Sequence, residues 1–368
     1  MIRLPKHLRS FVAALALAVA LVLTAAPQGV NAQTSGPNKP IHGATPGGTD
    51  AGTSSDSELW RAIRRGDRFG VSTPNKTAGI MIQSTGQDWR LFRMEKLPMY
   101  AGWAILGMCF LLCLFFAIRG RIRVSHGLSG EVIRRFSLLE RTSHWILASS
   151  FILLALTGLN LLYGRKLLIP LIGKGAFSTI ADLGKHIHNY VAFAFMAGLA
   201  LIFLRWVIHN FPNRHDVMWF LRGGGLFGGG HPAARKFNGG QKVLFWLVIL
   251  GGLSISVSGW ALLYPFTTTM FNDTFVLVNS VFGTHLPTNL NPIQEQQFQS
   301  LWHSIMAVFL IIVIIAHIYI GSVGMQGALA AMTSGDVDKN WARDHHSLWV
   351  EEEEAKESSE GADYQPAE

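Results

Sequence analysis

Apolar residues in this chain gather into five runs, about residues 99–118, 144–163, 187–209, 243–264 and 300–323, separated by polar and charged stretches. A helix of about 20 residues rises roughly 30 Å, the thickness of a bilayer's hydrocarbon core. The pattern predicts an all-α membrane protein with five spanning helices. Ahead of them, residues 1–32 read as a secretory signal peptide. Arg3, Lys6 and Arg9 form its basic start, Phe11 to Ala26 its apolar centre, and Val30-Asn31-Ala32 a small-residue cleavage site. Residues 33–56 are Gly, Pro, Ser, Thr and Asn with almost no large apolar groups, the composition of a linker. Residues 57–98 add Trp60, Ile63, Phe69, Trp89 and Phe92 among many charges, too short a stretch for its own core.

Charge orients the spans. The 368 residues are 49% hydrophobic and 15% charged, with net charge +8, yet the basic residues flank the apolar runs and form no single patch. That distribution excludes nucleic acid as the partner and fits the positive-inside rule. Arg119, Arg121, Arg123, Arg134, Arg135 and Arg141 place the loop at 119–143 in the cytoplasm. The loop at 210–242, with Arg214, Arg222, Arg235, Lys236 and Lys242, joins it there, whereas 265–299 carries no Lys or Arg and is periplasmic. The loop at 164–186 is periplasmic by alternation, although Arg165, Lys166, Lys174 and Lys185 weaken the rule there. The processed N-terminus is then periplasmic and the tail, 325–368, cytoplasmic, its end expected to be disordered after Glu351–Glu354. Such a protein belongs in a bacterial inner membrane as a multi-pass chain surrounded by lipid.

The chemistry lies in the histidines. His303 and His317 share one uncharged run, LWHSIMAVFLIIVIIAHIYIG. Fourteen residues separate them by about 21 Å along a helix and leave them about 40° from the same face. Imidazole in hydrocarbon is costly without a partner and marks a functional site. His144 opens the second span at its cytoplasmic end, and His188 opens the third at its periplasmic end. The depths therefore match in pairs, His144 with His317 and His188 with His303. Four histidines at two depths are what two b haems with bis-histidine ligation need, imidazole being a good iron ligand. His186, two residues from His188, points about 160° away on a helix and is set aside. His209 is read as interfacial, and His126 has no depth argument. Gly158, Gly198 and Gly259 lie within spans, where they admit either a neighbouring helix or a flat macrocycle. Cys109 and Cys113 stand i, i+4 in the first span. Without CxxCH there is no covalent haem attachment, and core packing is the expected role of the two thiols. The run GGGLFGGG, Gly223–Gly230, lacks a following GK[ST] and reads as a flexible cytoplasmic loop, not a phosphate cradle.

Over about 134–350 the chain resembles the gamma subunit, a dihaem cytochrome b, of membrane-bound respiratory formate dehydrogenase. The motifs that carry the likeness are RTSHW, GKHIHNYVAF, LRWVIHNFPNRHD, KFNGGQK, LWHSIMA, AHIYIG and WARDHHSLW. The resemblance implies a four-helix transmembrane cytochrome b bundle over 144–324, with the helix at 99–118 as an extra one. It implies His144, His188, His303 and His317 as haem b axial ligands, and Asn238 and Gly240 of KFNGGQK beside a quinone, menaquinone or ubiquinone. It also implies a catalytic alpha subunit with molybdenum or tungsten and an iron–sulfur beta subunit, both in the periplasm, the latter passing electrons inward to quinone near the cytoplasm. No formate chemistry is expected of this chain itself. Two departures stand out: the N-terminal addition, and Asn189 where some relatives have Pro. Rival readings are the cytochrome b arm of another quinone-linked enzyme, such as a nickel–iron hydrogenase, and a non-redox anchor or metal transporter. KFNGGQK argues against the first and the apolar setting of the histidines against the second.

Overall fold

The computed structural model describes residues 86–225 and 232–363. The signal peptide and the linker expected before residue 86 lie outside the described residues, as does most of the glycine run at 223–230. The chain folds almost entirely into helix: α1 Gly86–Leu91, α2 Leu97–Arg119, α3 Leu138–Leu167, α4 Ile169–Trp206, α5 Arg214–Leu221, α6 Gly239–Leu263, α7 Met270–Phe282, α8 Pro292–Tyr319, α9 Ala330–Thr333 and α10 Lys339–Asp363. Two short strands, β1 Val132–Arg134 and β2 Asp336–Asp338, pair antiparallel with Ile133 opposite Val337. Five helices among the described residues are long and apolar enough to cross a membrane, built on α2, α3, α4, α6 and α8.

Local chemistry starts these helices where it does. Ser137 and Glu140 form a reciprocal capping box at the head of α3, and Asn213 with Asp216 does the same for α5. The segment 164–186, expected to be a loop, is helical instead. Helix α3 runs to Leu167 and α4 begins at Ile169, interrupted only at Gly173, whose φ of 79° and ψ of 168° are not helical. Leu171, Ile172, Phe177, Ile180 and Leu183 recur at helical spacing there, so the segment's charges lie on a helix and not in a loop. The stretch 265–299 likewise contains α7, closed by Gly283 in the left-handed conformation.

The described residues form two compact units. One comprises 102–256 and 306–363, the other 86–101 and 257–305. In the first, α3 and α4 approach so closely that a Cβ on Gly198 would stand 2.9 Å from the Leu147 backbone. Gly252 admits Leu199, and Gly251 admits Leu310, in the same way. At the end where α3 begins and α4 finishes, Phe136, Trp206, Phe237, Trp341, Val337, Trp349 and Val350 make an aromatic core. Arg135 is buried inside it, its guanidinium 5.1–5.4 Å from the rings of Phe136, Trp341 and Trp349. It donates to the Lys236 carbonyl (2.7 Å) and to His346 Nε2 (2.9 Å), while His346 Nδ1 meets the Arg235 carbonyl at 2.8 Å. The tail is tied into the core at His346, where α10 is broken, and the stretch after Glu354, expected to be disordered, is helical to Asp363; residues 364–368 lie outside the described residues. In the second unit Phe271 stacks on Phe298. Buried Glu295 accepts from the backbone N–H groups of Phe271 and Asn272, capping α7.

Cys109 and Cys113 are exposed on α2 and do not pack in a core. An all-apolar helix carries no pattern to reveal which face is covered.

Candidate functional site

Helices α3 and α8 bring His144 and His317 face to face. Their ring centroids are 6.2 Å apart, with planes at 66°. Two metal–imidazole bonds of about 2.0–2.1 Å plus two half-rings add up to roughly 6 Å, so the centroid separation would accommodate one metal atom between the rings. The Nδ1 of His144 is buried and has no hydrogen-bond partner among the described residues. No group of three or more His, Cys, Asp and Glu side chains among the described residues is placed to hold a metal ion. Two imidazoles alone are too few to hold a bare metal ion and are the number that a haem iron takes from protein.

His188 and His303 are seated differently. On α4, His188 Nδ1 lies 2.8 Å from Thr157 Oγ1 of α3. A Cβ on neighbouring Gly158 would stand 3.6 Å from the His188 ring. On α8, His303 Nδ1 lies 3.1 Å from Ser258 Oγ of α6, and a Cβ on Gly259 would stand 3.2 Å from the ring. Gly158 and Gly259 thus border histidines, whereas Gly198 serves helix packing alone. His186 is exposed and reaches Asp182 at 3.7 Å, on a different face from His188. His126 and His209 are exposed as well. Thr157 and Ser258 were not singled out from sequence; a hydroxyl directly before a glycine inside a spanning run is the signal that could have found them.

One turn before His144, Glu140 Oε1 accepts from Trp206 Nε1 (2.9 Å) and Lys236 Nζ (2.8 Å). That contact draws the strand of chain leading to Asn238 against α3. Asn238 caps α6: its Oδ1 accepts from Gln241 N (3.0 Å), and Gln241 Oε1 accepts from Asn238 N (3.1 Å). The side-chain nitrogen of Asn238, Nδ2, takes no part in the cap. Gly240 faces Trp219, since a Cβ there would stand 2.7 Å from the indole, which also lies over Gly224 and Gly239. The room expected above Gly240 is filled by this α5 side chain. Helix α5 is held to α6 by the buried pair Asp216 and Lys242, 2.8 Å apart.

Comparison with known proteins draws the same outline. The family described as prokaryotic cytochrome b561 matches residues 135–335, a segment whose ends meet where Arg135 N donates to the Gly335 carbonyl (2.8 Å). The chain is similar to the nitrate-inducible formate dehydrogenase cytochrome b556(Fdn) subunit of Escherichia coli strain K12, 27% identical over 62% of this chain and 97% of that protein. It is similar to the formate dehydrogenase cytochrome b556(fdo) subunit of the same strain, 29% identical over 60% and 93%. The formate dehydrogenase cytochrome b556 subunit of Haemophilus influenzae is 27% identical over 58% of this chain and 80% of its own length.

Proposed function

The chain belongs to the prokaryotic cytochrome b561 family, a family of transmembrane helical bundles, and from that premise we propose that it is the membrane cytochrome b subunit of a formate dehydrogenase. The curated relatives, all named as such subunits, support this reading. The observation that carries it is the His144–His317 pair, two imidazoles from different helices with ring centroids 6.2 Å apart, a separation that suits one metal atom between them.

In this proposal His144 and His317 would hold one b haem, and His188 and His303, paired by their depth in the sequence, would hold a second. Bound haem supplies a one-electron carrier at each level. The chain's own residues hold the imidazoles at fixed depth, shield them with apolar side chains and keep water out. With haem bound, electrons would enter at the His188/His303 level from a periplasmic iron–sulfur subunit, itself fed by a molybdenum or tungsten catalytic subunit. They would leave at the His144/His317 level to menaquinone or ubiquinone, with protons taken from the cytoplasm. Moving each electron inward costs about 2.3 kcal/mol per 100 mV of membrane potential, and the redox gap between formate and quinone provides it. Asn238 can serve that end without leaving its cap: Oδ1 holds the helix, and Nδ2 remains to donate to a quinone carbonyl. With Trp219 over Gly240, the quinone ring approaches beside the indole or displaces it.

A pyridine haemochrome assay on the purified full chain tests the reading. Two haems b per chain are expected, one in each of His303→Ala and His317→Ala, and two in His186→Ala. Unchanged haem content in both ligand variants would overturn it.

A further inference from the structure

A hydroxyl followed by glycine occurs twice in the spans, Thr157-Gly158 on α3 and Ser258-Gly259 on α6, and each pair faces one histidine of a neighbouring helix. We propose that these two pairs are positioning residues that fix the tautomer and basicity of His188 and His303, giving the iron site at their level the lower reduction potential. The inference rests on the reading of the four histidines as haem ligands.

The proton bookkeeping runs in one direction. Thr157 Oγ1 lies 2.8 Å from the Leu153 carbonyl and 3.1 Å from that of Leu154. A hydroxyl has one proton to give, and here the α3 backbone takes it. Toward His188 Nδ1, at 2.8 Å, the oxygen can only accept. Nδ1 therefore carries the proton, and the lone pair of Nε2 is left for a metal. For His303, ligation through Nε2 puts the proton on Nδ1, and Ser258 Oγ, on a residue with no exposed surface, is its acceptor at 3.1 Å. The glycines complete each seat. A Cβ at 158 would touch the ring at ordinary contact distance, and one at 259 would press on it at 3.2 Å.

An N–H donated to oxygen makes the far nitrogen a stronger base, and a stronger base favours the oxidised metal. His144 lacks this support among the described residues, its Nδ1 being buried without a hydrogen-bond partner. The two levels therefore differ in ligand strength. An electron is released more readily at the His188/His303 level and held more firmly at the His144/His317 level, which gives the chain a built-in direction.

The test is spectroelectrochemical titration of the full chain carrying Thr157→Val, Ser258→Ala or both, with haem content measured in parallel. If these hydroxyls favour the oxidised metal about tenfold, the double variant should retain two haems and raise one midpoint potential by about 59 mV, leaving the other unmoved. Thr157→Val and Ser258→Ala should each give part of that shift, since each removes one hydroxyl from one histidine. Thr157→Ser should restore the original value. Two haems with both potentials unmoved overturn the proposal and leave the ligand reading intact, as does a shift confined to the His144/His317 haem. Loss of one haem in Thr157→Val but not in Thr157→Ser supports it, and loss in both overturns it. If His188→Ala itself keeps both haems, the ligand reading has failed instead.

Discussion

The four histidines are seated on two opposite plans. His144 and His317 lie ring to ring, and the Nδ1 of His144 is buried without a hydrogen-bond partner among the described residues. His188 and His303 each lean on a hydroxyl and a glycine from the adjoining helix. The same side chain thus has unequal surroundings. What distinguishes one imidazole site from another is the partner of the nitrogen that does not bind metal.

The sharpest way to break this contrast is to fill the glycine seats. Gly259→Val should push His303 out of place and leave one haem where two are bound, measured by haemochrome content. Gly158→Ala, with 3.6 Å of clearance, should keep both, and Gly259→Ala, with 3.2 Å, should fall between. Retention of two haems in Gly259→Val would show that the seat is irrelevant. A smaller effect is expected at the open level. Asn238→Ala should keep both haems and their reduction by formate but slow reoxidation by added quinone roughly tenfold, the worth of one hydrogen bond. Loss of the cap itself costs about 1 kcal/mol of stability. Reoxidation at the original rate would leave Asn238 as a cap alone.

The smallest effect concerns the aromatic core behind that level. Burial, then the charge of Arg135, holds His346 well below the usual histidine range, while burial lowers Arg135 to about 9 against the pull of Glu140. Arg135 thus stays charged at neutral pH and His346 neutral. The unfolded chain protonates His346 below about pH 6.5 and the folded chain does not. The clamp's stability is therefore complete above that pH and falls as pH drops beneath it. Proteolysis of the C-terminal helix should speed up between pH 7.5 and pH 5.5, and His346→Gln should flatten that dependence.

Much of this was legible in the sequence. The apolar runs gave away the spanning helices because a bilayer demands about 20 such residues, whatever their neighbours. The depth of each histidine followed from its place in its run, and the structure sets His144 against His317 and turns His186 outward. Three things stayed hidden. The segment 164–186 continues as helix because its charges interrupt the apolar run without interrupting helical spacing. The tail folds back because β1 and β2, far apart in sequence, pair, and because Arg135 finds His346, a contact no local pattern encodes. Trp219 occupies the space over Gly240 because α5, hidden within an expected loop, carries it there.

The near-contact of Leu147 with Gly198 has an electrical meaning. Phe195, Leu199, Ile249 and Leu310, all buried, fill the same unit around it. A hydrated ion entering such a layer sheds its water; even a charged side chain placed mid-membrane costs about 2.5–3.5 kcal/mol. An electron needs no channel and no water. In the proposed function this layer would act as the dielectric of a capacitor: current would cross it only as electrons, and the voltage so built up would not drain back as protons.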